Sequence, residues 1–245
     1  MKIYLAGFYS RPYLITQFKP KYVLESYWYA KDSPEFMKNI KQENTNFLLD
    51  SGAFTFLNQK KQISWNNYVK EYIDFINNHE IQNFFELDIY KIVGVQKTEE
   101  IRKLIETETK KRCIPVWHRH LGLNYLENLS SNYNKIGFGG FVINDIKTKD
   151  YKYVPKLLNI AKKNNCNVHG LGFTSFKHLN YNDFDSVDST SWLSGSRYGT
   201  VYCFNYNKLC QYKKQKNQKT KNYKILDEQN IKEWIKFQKY AEHNL

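Results

Sequence analysis

The sequence predicts a compact single-domain (β/α)8 TIM barrel, on three grounds. The chain has 245 residues, about the length of one such barrel and long for a sandwich or a bundle. Short β-rich runs alternate with longer stretches of helical periodicity, the pattern of βα units on a parallel sheet. The β-rich runs number eight, which is the count for a closed barrel and not for an open sheet.

In chain order the runs are 2–7 (KIYLAG), 46–50 (NFLLD), 83–88 (NFFELD), 113–117 (CIPVW), 135–139 (KIGFG), 167–172 (NVHGLG), 184–188 (FDSVD) and 200–206 (TVYCFNY). Between them, Trp65, Tyr68, Val69, Tyr72, Ile73 and Ile76 share one helical face, with Ser64 placed to cap it. Ile101, Leu104 and Ile105 form a second stripe after Thr98, Leu123, Leu126 and Leu129 a third, and Val154, Leu157, Leu158 and Ala161 a fourth. A final helix is expected over 227–243, with Ile231, Trp234, Ile235 and Gln238 on one side. Residues 211–224, QYKKQKNQKTKNYK, are polar, basic and aperiodic. They read as an exposed loop, which beside a nucleic-acid site would act as a phosphate clamp. The aromatic run 22–29, YVLESYWY, reads either as a helix packed on the barrel or as a stacking surface for bases.

Composition narrows the function. Hydrophobic residues make up 41% and aromatics 17%, enough for a large core, and the net charge is +13. That surplus points to a polyanionic partner, nucleic acid being the commonest; the Lys- and Asn-rich bias also accompanies AT-rich coding sequence. No Gly-x-Gly-x-x-Gly follows the first run and no Walker-type Gly-Lys-Ser/Thr occurs, so neither dinucleotide nor P-loop chemistry is indicated. Nothing approaches a membrane span, and the N-terminal apolar stretch is too short for a signal peptide. The four cysteines, Cys113, Cys166, Cys203 and Cys210, therefore read as reduced thiols of a cytoplasmic protein. Only Cys203 and Cys210 are close in sequence, and their spacing is not that of zinc ligands, so no metal or other cofactor is expected.

The chemistry-bearing residues fall at the ends of the expected strands. Asp50, Asp88 and Asp188 each close a run, His118 follows PVW, Gly139 and Gly140 close IGFGG, and Gly172 closes HGLG. Barrel active sites are built at that rim, from different strands converging on one mouth. Any one Asp there could be a turn former or helix cap, and Glu86 could be an interior residue paired with a Lys or Arg. Paired carboxylates suit glycosyl transfer: one attacks the anomeric carbon, while the other protonates the leaving group and deprotonates the incoming one. For that second role the acid must hold a proton near neutral pH.

Five segments carry a family likeness. LLDSGAF (48–54), FELD (85–88), IGFGG (136–140), HGLGF (169–173) and FDSVDSTSWLSGSRYGT (184–200) resemble, in order, motifs of the tRNA-guanine transglycosylase superfamily. Each is weak alone, but together they cover roughly residues 46–200. The resemblance implies a TIM barrel exchanging guanine for a 7-deazaguanine through a covalent enzyme–sugar intermediate. It implies Asp188 as nucleophile and Asp50 as general acid/base. Asp88 would read the guanine edge, Phe54 would stack on the base, and Gly139 and Gly140 would line the pocket floor with backbone donors. The departures are definite. The family's Cys-x-Cys-x-x-Cys…His zinc motif is missing, Ala53 replaces the second Gly of Asp-Ser-Gly-Gly, and His118 stands where the family has a base-recognising Gln. The short chain is closer to compact bacteriophage proteins that insert 7-deazaguanines into DNA, which favours DNA over tRNA as substrate and, if phage-encoded, the host cytoplasm as its location. Free 7-deazaguanine base would be the small-molecule substrate, and a homodimer is compatible with the sequence. Arg197, Lys213, Lys214, Lys216, Lys219 and Lys221 are the candidate nucleic-acid contacts. Two rival readings are a metal-dependent barrel hydrolase built on His118 and His120, and a barrel that binds nucleic acid without chemistry.

Overall fold

The computed structural model describes residues 1–53, 55, 64–143, 145–173, 175–179, 183–215, 219 and 222–245. Its centre is a curled, all-parallel sheet of seven strands: β1 (Lys2–Ala6), β2 (Tyr22–Ser26), β3 (Asn46–Asp50), β4 (Val116–Trp117), β5 (Lys135–Phe138), β6 (Asn167–Gly170) and β7 (Ser186–Ser189). The order across the sheet is β3-β2-β1-β7-β6-β5-β4, with Leu5 opposite Val23 and Tyr4 opposite Asp188. The expected 83–88 run contributes two single bridges, Leu49 to Phe84 and Phe85 to Ile114. It therefore lies between the two edges of the sheet.

Strand alternation sorts the apolar residues into two sets. Tyr4, Ala6, Tyr22, Leu24, Leu48 and Val116 cluster with Phe85 and Ile114 inside the curl. Ile3, Leu5, Val23, Leu49, Val168 and Val187 join the larger core formed with the helices. Since every strand of this sheet runs the same way, their carboxyl ends share one rim, and residues of inward parity there face a common space.

Two expectations about the sheet are corrected. Thr200–Asn205 is not an eighth parallel strand: as β8 it pairs antiparallel with β9 (Lys208–Lys213). The two strands are joined through Tyr206 and Asn207, both left-handed at φ 49° and 61°, a conformation that a two-residue hairpin turn demands. Residues 211–213 of the expected basic loop thus belong to a strand. The strand that the sequence reading lacked is β2, hidden in the aromatic run 22–29, where the helix Tyr27–Ala30 follows without a break.

The expected helices form at Trp65–Asn78, Val95–Thr109, Leu123–Asn132, Val154–Lys163 and Tyr223–Asn244, the last beginning earlier than 227. Ser64 does occupy the cap position, with extended backbone but no side-chain hydrogen bond. In Val95–Thr109 the buried stripe takes in Thr98, Ile101, Arg102 and Ile105, whereas Leu104 is 47% exposed and Leu123 of the next helix 54%. The final helix buries four polar side chains, Asp227, Asn230, Glu233 and Gln238, beside its apolar ones. Asn230 accepts from the Tyr202 amide and donates to the Trp192 and Thr200 carbonyls. Glu233 accepts from the Phe204 amide, and Gln238 joins the Lys21 amide to the carbonyls of Ile3 and Tyr22. This one helix ties the hairpin and the first two strands together. No helix among the described residues is long and apolar enough to cross a membrane.

Candidate active site

A cleft of about 550 Å3 opens at the carboxyl rim of the sheet, lined among others by Glu25, Asp50, Glu86, Asp88, His118 and Asp188. Five carboxyls thus converge in one hollow of a chain with net charge +13.

Asp50 ends β3, and the turn that follows is shaped around its carboxyl. The Gly52 amide donates to Asp50 Oδ2 at 3.0 Å. Gly52 has φ +82°, and a Cβ there would sit 2.9 Å from Tyr68 Oη and 3.0 Å from Ser26 Oγ, while the Tyr68 hydroxyl donates to the Ser51 carbonyl at 2.7 Å. Only glycine satisfies both the conformation and the space. Burial pushes the Asp50 carboxyl up to about 6, opposed by the Gly52 amide and reinforced by the charges of Asp188 and Asp88. A carboxyl so placed carries a proton across much of the mildly acidic range.

Asp188 sits in β7 with its carboxylate fixed from two sides. Oδ1 accepts from the Gly172 amide at 2.7 Å and from His169 Nε2 at 3.2 Å. No hydrogen bond to Oδ2 is present among the described residues. His169 is fully buried, and its Nδ1 meets Ser186 Oγ at 2.8 Å. Burial lowers its proton affinity, with Asp188 pulling the other way. Because an ionised carboxylate can only accept, Nε2 carries the proton and Nδ1 takes the serine hydroxyl. The sequence reading did not single out His169. Its signal was parity, since residues 169 and 171 share a face and Ser186 and Asp188 share the face beside it.

Asp88 and His118 form the third feature. His118 Nε2 contacts Asp88 Oδ2 at 2.7 Å, while its Nδ1 is buried without a hydrogen-bond partner among the described residues and lies 4.0 Å from Asp145 Oδ2. Tyr90 packs against the rings of both His118 and His120. Gly139 makes room for this imidazole: a Cβ there would fall 2.4 Å from His118 Cε1. The Gly139 amide is already engaged by the Trp117 carbonyl at 2.9 Å. Of the two expected floor donors, only Gly140 has an amide that no described residue takes.

Glu25 and Glu86 complete the wall. Glu25, on the strand missing from the sequence reading, accepts from the Tyr9 and Ser26 amides, and burial raises it to about 7. Glu86 pairs with Arg102 at 3.6 Å and accepts from the Val116 amide at 2.5 Å, the interior pairing that the sequence left open. Burial raises it to about 8, against the pull of Arg102. Arg197 lines the cleft, as do Tyr9 and Tyr29, whose rings stack at 4.3 Å. A larger groove of about 890 Å3 carries Lys213, Lys214 and Lys219 and meets the cleft at Ser191. Phe54, Lys216 and Lys221 lie outside the described residues.

The rival metal-hydrolase reading has no ligand cluster to rest on: no group of three or more His, Cys, Asp or Glu among the described residues is placed to hold a metal ion. For the zinc of the family resemblance, only Cys203 and Cys210 come together, across the hairpin, while Cys113 and Cys166 are buried elsewhere. Two sulfurs fall short of a tetrahedral set, so the residues do not fit that ion. No family model matches the chain, and no curated protein matches it.

Proposed function

We propose that this chain is a nucleic-acid base-exchange transglycosylase that replaces guanine with a 7-deazaguanine, in DNA by preference over tRNA. The observation that carries the reading is the contrast between two carboxyls in one cleft. Asp50 is pushed up to about 6, whereas Asp188 is oriented through Oδ1 by Gly172 and His169. Retaining glycosyl transfer needs such a division of labour between an acid and a fixed nucleophile.

In this mechanism the target nucleotide leaves the stack and enters the cleft, because its anomeric carbon is out of reach inside a duplex. Asp188 Oδ2 attacks C1′ as the bond to guanine breaks, and Asp50 gives its proton to the departing base. The sugar is then held as an ester on Asp188. An incoming 7-deazaguanine binds, Asp50 takes its N–H proton, and the freed nitrogen bonds C1′ as the ester opens. Asp88, steadied through Oδ2 by His118, accepts from the base N–H groups with its other oxygen. Arg197 and the lysines of the adjoining groove hold the flanking phosphates. Within the same reading, the parallel sheet and the bridging residues 84–85 make up an eight-stranded barrel, supported by the bridges from β3 through Phe84 and Phe85 to Ile114.

The test is incorporation of radiolabelled guanine into duplex DNA and tRNA in parallel, with 7-cyano-7-deazaguanine as competitor. Label entering DNA, suppressed by the competitor and absent with Asp188→Ala, is the expected result. Label in tRNA alone would keep the chemistry and overturn the substrate. No label in either, from a folded protein that binds nucleic acid, would overturn the reaction and favour a binding protein.

A further inference from the structure

Away from the cleft, the four cysteines divide two and two. Cys113 and Cys166 are buried, and burial pushes both thiols up, that of Cys166 to about 11. Cys203 and Cys210 are partly accessible and stand directly opposite each other in the β8–β9 register.

The alternation of the hairpin fixes their direction. Tyr202 and Phe204 pack on Trp234 and Phe237 of the C-terminal helix. Residues of the other parity, Cys203 and Cys210 among them, therefore share the face turned away from that helix. Directly opposed residues of an antiparallel pair have Cα atoms about 4.5 or 5.5 Å apart, depending on the pair type. Disulfides span Cα separations of about 4.4–6.8 Å, a range that takes in both values. The Asn205 side-chain amide donates to Cys203 Sγ at 3.0 Å, which holds that sulfur on the hairpin surface.

We propose that Cys203 and Cys210 form a modification site that closes to an intramolecular cross-strand disulfide by exchange with a small-molecule disulfide such as oxidised glutathione. One cysteine thiolate attacks the glutathione disulfide, forming a mixed disulfide and releasing one glutathione thiolate. The opposed cysteine then attacks the protein sulfur of that mixed disulfide and releases the second. Two protein thiols are oxidised, one glutathione disulfide is reduced to two thiols, and the two thiol protons pass to the released glutathione or to water. The bond would clamp the hairpin whose other face presents Gln211 and Lys213 to the basic groove. Its formation does not depend on the base-exchange reaction.

The experiment treats the native full-length protein with oxidised glutathione, then alkylates, digests without reduction and records masses. In the wild type, the peptides carrying Cys203 and Cys210 are expected joined and two hydrogens lighter, with Cys113 and Cys166 unmodified. Cys203→Ser and Cys210→Ser should each stop at a stable glutathione adduct on the remaining cysteine. A wild type that also stops at adducts, keeps all its thiols, or links between two chains on a non-reducing gel would overturn the proposal.

Discussion

Asp50 shows how one residue can set stability against chemistry. Its folded-state value is raised, so between the ordinary carboxyl value near 4 and about 6 the folded chain binds more protons than the unfolded one. Stability contributed by the protonated form is present below that window, falls as pH rises through it, and is gone above. Glu25 and Glu86, raised to about 7 and 8, carry the same sign to higher pH. Asp50→Asn should therefore stabilise the fold at pH 7.5, by about 1–3 kcal/mol, while abolishing base exchange; urea melts with and without the substitution decide this, and a destabilised variant would sink it. In the wild type, the rate of guanine release should fall about tenfold per pH unit above about 6. A profile flat between pH 6 and 8 would remove Asp50 as the acid. At this scale the sequence was informative for residues that end strands, and Asp50, Asp88, His118 and Asp188 do line one cleft. It was silent on His169, an ordinary strand residue by pattern, whose place depends on which strand lies beside β6. It was silent on Glu25 because the strand that holds it had not been read.

Among the elements, those with strong periodicity were legible and those that borrow their partner from elsewhere were not. The helix stripes at 65–76 and 154–161 hold because their apolar spacing needs no tertiary information. The run 200–206 alternates as a strand should, yet alternation does not say whether the partner is parallel, distant or the next six residues. KLCQYK is polar enough to pass for loop, and becomes β9 only because β8 offers its edge. The turn after β3 is the element on which the acid depends. Gly52→Ala combines a strained φ with a clash, whereas Gly122→Ala, at the same φ of +82° with nothing within 4 Å, carries the strain alone. The first should cost about 1–3 kcal/mol more than the second and depress activity further by displacing the Asp50 partner. Equal losses in urea unfolding would show that the space around Gly52 does not matter.

For the molecule as a whole, the final helix is the tie. Its polar positions Asn230, Glu233 and Gln238 would look solvated in a helical projection, and the sequence reading credited only Gln238 with an inward place. They are buried because they hydrogen-bond the backbone they face, at β8 and at the starts of β1 and β2. Gln238→Leu removes three of these hydrogen bonds, and should destabilise the chain by about 2–4 kcal/mol. A shift below about 0.5 kcal/mol in urea unfolding would show that water or rearrangement replaces them.

The same tie gives synthesis a direction. β1 sits at the centre of the sheet, between β2 and β7, yet β7 begins at Ser186 and Gln238 comes later still. On the ribosome, the first strand therefore waits with one edge bare for most of the chain's length, at roughly 5–20 residues per second. The half of the sheet from β1 to β3 can form early, but the wall that bears Asp188 cannot join it until β7, about 180 residues after β1, has been made. The cleft is thus among the last features to exist, and a stalled or shortened chain would show a sticky strand edge long before it could show a nucleophile.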